Sequence, residues 1–192
     1  PQIAEITERA MQGELDFATA LKERVTLLAG LDEQIVQTCL DERVRPMAGA
    51  QTLVRTMASW GAHSVLVSGG FTSFAVPVAK MIGLSESHAN LLEIANGKLT
   101  GRLLGDIVDA AAKRAVLLAS ASSQGVKGEE ILAVGDGAND LPMIAAAMDS
   151  GGLGVAFHAK PVVAEASSLA VRHGDLTTLL YAQGVPRSNW VV

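Results

Sequence analysis

Apolar residues at the start of the chain recur at helical intervals. Ile3, Ile6, Ala10 and Met11 share one face of a helix, and Phe17, Leu21, Val25 and Leu28 share another beyond a break at Gly13. A third amphipathic stretch starts at Asp32, whose short carboxylate suits the free N–H groups of a helix start, and runs to about residue 44. No strand-like run interrupts these residues, so 1–44 reads as a small all-helical unit. The texture changes after Pro46. A helix over 50–60 leads through Gly61 into the apolar run Val65-Leu66-Val67, which stops at Ser68-Gly69-Gly70 before a helix over 74–82. A second apolar run, 131–134, stops at Gly135-Asp136-Gly137 before a helix from about 141. Residues 154–156 and 169–171 read as further strands, and 109–124 as a helix. Residues 91–94 and 98–102 flank Asn96-Gly97, a strong hairpin turn signal. Strands alternating with helices predict a doubly wound, Rossmann-like parallel sheet over residues 45–192.

Composition narrows the setting more than the activity. Hydrophobic residues make up 49% of the 192 and charged residues 18%, enough apolar material for a core and too much for disorder. A formal net charge of -5 offers no basic surface for nucleic acid or an anionic membrane. No apolar run approaches a membrane span, and the first residues lack a charged-then-apolar signal pattern. Cys39 is the single cysteine, which excludes an internal disulfide and a cysteine-based metal cluster. These features predict a reducing, cytoplasmic setting.

In parallel α/β folds ligands bind at the carboxyl ends of strands, and two such ends here carry small polar residues. At 67–72, Ser68 can donate to a phosphate oxygen, and glycines let backbone N–H groups approach an anion. The same run also suits an ordinary tight turn. At 134–143, Asp136 and Asp140 lie four apart across a strand-to-helix corner. Like charges converge at a cost unless something offsets them, and a hard divalent cation such as Mg²⁺ would. The plainer alternative is Asp136 in a turn and Asp140 as a helix cap.

Gly-Asp-Gly-Ala-Asn-Asp at 135–140 resembles the fourth motif of the haloacid dehalogenase superfamily, and Val-Ser-Gly-Gly-Phe at 67–71 resembles the second motif as its phosphoserine phosphatases write it. Asn90 in Ala-Asn-Leu, the Asn96-Gly97-Lys98-Leu99-Thr100-Gly101 hairpin, 157–161 and 173–176 are similar to that family in the same order. The resemblance implies an α/β core with a small helical cap and a β-hairpin. It implies an enzyme that hydrolyses O-phospho-L-serine to L-serine and phosphate with Mg²⁺, the last step of serine biosynthesis. The partner would be that small substrate, with neither nucleic acid nor membrane. Asp136 would ligate Mg²⁺ and Asp140 would support the metal site. Asn139 and Ser68 would hydrogen-bond the substrate, and the Gly69 backbone would line the site. Lys113, in the predicted helix 109–124, would offset phosphate charge, although spacing alone also allows a solvated lysine, with Arg114 as the rival. Residues 1–44 would be the cap. There Arg24 would pair with the substrate carboxylate, and Met11 and Phe17 would line an apolar pocket. Read without the resemblance, Arg24 is a surface arginine with a buried stem and the other two are core. A relative acting on another small phosphate ester, or a binding domain without turnover, would carry many of the same residues.

The family's first motif, Asp-x-Asp-x-Thr/Ser at the end of the central strand, does not occur in these residues. Its first aspartate attacks phosphorus and its second protonates the leaving oxygen, so the resemblance implies a nucleophile upstream of Pro1 and a sheet short of its first strand. Residues 148–152 also look longer than the family's usual link into the next strand.

Overall fold

The computed structural model describes residues 2–11 and 14–192, and of Thr7, Glu8, Ala10 and Met11 only the backbone. Three helices come first: α1 (Gln2–Met11), α2 (Phe17–Thr26) and α3 (Gln34–Arg43). Asp16 starts α2, its carboxylate accepting from the Thr19 N–H at 2.8 Å and from the Thr19 hydroxyl at 3.0 Å. Asp32 likewise accepts from the Gln34 N–H at 2.9 Å. Then come α4 (Ala50–Ser59), β1 (Val65–Phe71), α5 (Thr72–Ile82), β2 (Glu86–Ala95) and β3 (Lys98–Leu104). The second half holds α6 (Ala110–Gln124), β4 (Leu132–Gly135), α7 (Leu141–Asp149), β5 (Leu153–Phe157), α8 (Pro161–Glu165), β6 (Leu169–Val171) and α9 (Thr178–Ala182).

The alternation of strands and helices is as the pattern predicts, but the strands do not form one sheet. β1 pairs parallel with β2, which pairs antiparallel with β3, while β4, β5 and β6 form a separate parallel sheet. The predicted turn joins β2 to β3, with φ of 52° at Asn96 and 75° at Gly97 as a tight hairpin requires. Two expectations need correction. The Ser68-Gly69-Gly70 run is part of β1 and not a loop beyond it. The ladder slips between Val67 and Phe71, so the strand continues through an irregularity until Phe71 pairs with Asn90. Residues 1–44 also contain a β contact, because Asp32 bridges to Lys98. The 148–152 link closes on itself, with the Gly152 N–H donating to Ala147 O at 2.9 Å, and delivers Leu153 in register with Leu132.

The core is divided along the same line. Val155, Val171 and Leu179 pack under the second sheet, and Ile144, Ala156 and Val163 form a neighbouring cluster. Across the first sheet, Leu21 and Val25 of α2 meet Leu92 and Leu99 of the hairpin. Backbone bonds reinforce that junction: Gly30 N–H to Leu99 O at 2.8 Å, and Leu99 N–H to Leu31 O at 2.9 Å. The early helices are therefore fastened to the hairpin, and they hang over the carboxyl end of β1.

Ile144 has no solvent exposure. Ile144→Ala removes a side chain the close-packed interior cannot readily refill, so urea unfolding should report a loss of about 2–5 kcal/mol.

Candidate active site

Two strand ends converge on the start of α6. Asp109 opens that helix, its carboxylate accepting from the Ala112 N–H at 2.8 Å. One turn later Lys113 points inward and is only 6% exposed, whereas Arg114 faces solvent. Lys113 Nζ donates to Asp140 Oδ1 at 2.6 Å. The other oxygen of Asp140 accepts from the N–H groups of Asp136 at 3.0 Å and Gly137 at 3.1 Å. Asp140 is thus no ordinary helix cap. It reaches back from the start of α7 and fixes the turn that follows β4. A side chain at Gly135 would collide with that carboxylate, which is why glycine stands there.

The same pair sets the charge state. Burial alone would raise the Asp140 pKa, but the Lys113 ammonium and the two backbone N–H groups outweigh it. The carboxyl is held below its ordinary value of 3.8.

Asp136 itself is exposed, and among the described residues no hydrogen bond or ion pair engages its carboxylate. Its carbonyl accepts from the Lys160 N–H at 3.1 Å, which pins the backbone from the other side. Asn139 is half-buried with its Oδ1 folded against Gly137.

The end of β1 reaches the same place through Asn90, whose part was not legible beyond its resemblance to the family. Asn90 is 1% exposed. Its Nδ2 donates to the carbonyls of Gly69 at 2.9 Å and Gly70 at 3.2 Å, and its Oδ1 accepts from the Val108 N–H at 2.9 Å. One amide therefore ties the glycine segment to the residue just before Asp109. Asn90 stands where β2 changes from parallel pairing with β1 to antiparallel pairing with β3, a position that only strand pairing reveals. Ser68 Oγ accepts from the Gly70 N–H at 3.0 Å, which leaves its proton to donate elsewhere.

The early helices supply the cover. Phe17, at the start of α2, lies over Gly69 so closely that a Cβ there would sit 2.8 Å from its ring. Arg24 lies two turns further along α2, half-buried, with its Nε donating to Ala20 O at 3.2 Å. Among the described residues no contact joins its guanidinium to Ser68 or Asp136. Met11 ends α1, and its side chain lies outside the described residues. The structure thus brings Ser68, Gly69, Lys113, Asp136, Asn139, Asp140 and Phe17 to one end of the molecule and leaves Arg24 along its flank.

Mg²⁺ keeps several of its waters, so one protein carboxylate can form part of its shell. Asp136 is a free oxygen donor of the kind Mg²⁺ takes, but among the described residues no group of three His, Cys, Asp or Glu could hold a metal ion.

This arrangement matches a known family. The model of the haloacid dehalogenase-like hydrolases matches residues 3–145, and the chain belongs to that family. Within it the resemblance is to phosphoserine phosphatases. The chain is 48% identical over 188 residues to the phosphoserine phosphatase of Streptomyces coelicolor, covering 98% of this chain and 45% of that protein. A crystal structure of a probable phosphoserine phosphatase from Vibrio cholerae, in unliganded form, superposes with a TM-score of 0.85 at 42% identity, over 95% of this chain and 57% of that one. A substrate-bound phosphoserine phosphatase complex superposes at 0.83 with 34% identity, over 94% and 83%. The chain spans about half the length of the first two of these proteins.

Asp140→Asn strands a buried ammonium without its anion, and should cost about 3–5 kcal/mol at pH 7 in chemical denaturation. Because the Asp140 pKa is lowered on folding, its contribution is fully present above the ordinary carboxylate range and is lost as pH falls through the lower folded value. The gap between the native chain and the variant should therefore close as the solution is acidified below about pH 4.

Proposed function

We propose that these residues supply the phosphate-binding, metal-holding and substrate-selecting parts of a phosphatase that converts O-phospho-L-serine to L-serine and phosphate. The observation that carries this reading is the buried Lys113–Asp140 pair, which sets a cation beneath the turn on which Asp136 stands free. The kinship with phosphoserine phosphatases over nearly the whole chain supports the choice of substrate.

In this reading Ser68 donates its free proton to a phosphoryl oxygen, and Lys113, with N–H bonds beyond the one given to Asp140, offsets the charge of the transferring group. Asp136 would hold Mg²⁺ together with waters. The ion, when bound, would neutralise part of the phosphate charge. Asp140 acts through the turn it fixes, and Asn139 would donate to the substrate. Residues 1–44 would be the cap, with Phe17 closing the apolar side over Gly69; the part of Met11 in that pocket rests on the family resemblance alone. Arg24 would swing from Ala20 O to take the substrate carboxylate, a motion its unbranched stem permits. The setting would be cytoplasmic. No described helix is long and apolar enough to cross a membrane.

A second reading is a domain that binds a phosphorylated metabolite without turnover, since Ser68 and the Lys113 ammonium would serve binding alone. The two readings separate by assay. The chain alone should hydrolyse essentially no phosphoserine, whereas a polypeptide carrying it behind an Asp-x-Asp-x-Thr strand should do so. In that longer polypeptide Asp136→Asn should lower kcat/KM about 100-fold or more. Arg24→Ala should raise KM for phosphoserine roughly 10–100-fold while sparing phosphoethanolamine, which lacks the carboxylate. Equal effects on both substrates would remove Arg24 from the pocket.

A further inference from the structure

β1 and β2 do not keep step. Val67 pairs with His88 and Phe71 with Asn90, so four residues of β1 advance against two of β2. The surplus falls on Ser68-Gly69-Gly70, where the strand has to bulge. A peptide unit between two glycines is among the freest in a chain to rotate, because neither neighbour has a Cβ to restrict it. Left to itself, the Gly69–Gly70 unit would sample several orientations.

Asn90 removes that freedom. It is buried, and its amide gives one N–H to the Gly69 carbonyl at 2.9 Å and the other to the Gly70 carbonyl at 3.2 Å. The C=O and N–H of a trans peptide point to opposite edges of one plane. With the Gly69 carbonyl turned to Asn90, the Gly70 N–H must face the other way, and there it donates to Ser68 Oγ at 3.0 Å. A Cβ at Gly70 would lie 3.1 Å from that same oxygen, so glycine leaves the hydroxyl its room. Ser68 Oγ is held as an acceptor, and its own proton is turned away from the Gly70 N–H, open to an incoming acceptor. Asn90 Nδ2 thus acts on the Ser68 hydroxyl through a single peptide plane.

The other end of the same amide has a second duty. Asn90 Oδ1 accepts from the Val108 N–H at 2.9 Å. Val108 precedes Asp109, which starts α6, and Lys113 lies one turn into that helix. A side-chain amide is planar, so its donors and its acceptor keep a fixed relation. The bulge that carries Ser68 and the start of the helix that carries Lys113 are therefore set by one rigid group.

We propose that Asn90 is a positioning residue for phosphate binding: it aims the Ser68 hydroxyl through the Gly69–Gly70 peptide and sets the start of α6, hence Lys113, through Val108. Asn90 reaches the phosphate only through these groups, since both ends of its amide are engaged inside the protein. The role in phosphate binding rests on the phosphatase reading above, whereas the coupling of Asn90 to Ser68 follows from the hydrogen bonds alone.

The test uses Asn90→Asp and Asn90→Ala in the purified chain, each alone and combined with Ser68→Ala. A carboxylate at position 90 still accepts from Val108 but has no hydrogen for the glycine carbonyls, and on protonation it regains one. Burial raises the pKa of such a group, so the donor returns as pH falls from 7 to about 5, above the range in which Asp140 takes up a proton. Three-bond NMR couplings at Ser68 should report one χ1 rotamer in the native chain and averaging in both variants at pH 7. Acid should restore the single rotamer in Asn90→Asp and not in Asn90→Ala. His88, Asp106 and Asp109, the titratable residues nearest in sequence to Asn90 and Val108, are common to all the chains, so their titration cancels. Inorganic phosphate, followed by NMR titration, should bind Asn90→Asp about tenfold more weakly than the native chain at pH 7. In the Ser68→Ala background the same change should cost no more than about twofold, because its effect passes through Ser68. Asn90→Ala, which buries no charge, carries the rotamer measurement if the aspartate variant does not fold at pH 7. A single Ser68 rotamer in the variants, averaging that acid fails to reverse in Asn90→Asp, or additive losses of phosphate affinity would overturn the proposal. If the native chain binds no phosphate while the rotamer pattern holds, the phosphate role falls with the phosphatase reading and the coupling of Asn90 to Ser68 stands.

Discussion

The contact between Lys113 and Asp140 holds the chemical end of this molecule together. Each side chain is almost fully buried, and each would be costly there without the other. Their bond spans the gap between α6 and the β4–α7 turn, and the second oxygen of Asp140 then orders the backbone of Asp136 and Gly137. One ion pair thus serves two purposes. It keeps a cation near the strand ends, and it presents Asp136 outward with its carboxylate unspent.

Asn90 performs the matching task for β1. Its three hydrogen bonds fasten the glycine segment to the entrance of α6, so that both strand ends are referred to the same helix. Small residues are needed where Phe17 presses on Gly69, and that contact links the helices of residues 2–43 to the chemistry below them. The hairpin is the fixed part of this arrangement, because α2 shares its core with Leu92 and Leu99.

The division into two sheets connects these local features. The strands fall into two sheets with an apolar-walled cavity between them, and Asp140 lies on its lining.

Periodicity in the sequence located the strands and the longer helices, because burial of one face writes a local pattern; α8 and α9, five residues each, are too short to write one. The Asn96-Gly97 turn was equally plain, since few residues tolerate that backbone. Motif spacing also pointed to Ser68, Asp136 and Asp140. The choice of Lys113 over Arg114 was not local. It depends on which side of α6 meets Asp140, 27 positions away in the chain. Nor could spacing reveal that Ser68 and Gly69 stay within a strand, that Asn90 carries the link between strand ends, or that Arg24 rests against its own helix. Strand pairing and buried charge are settled by contacts between distant segments, and only the tertiary structure brings those segments together.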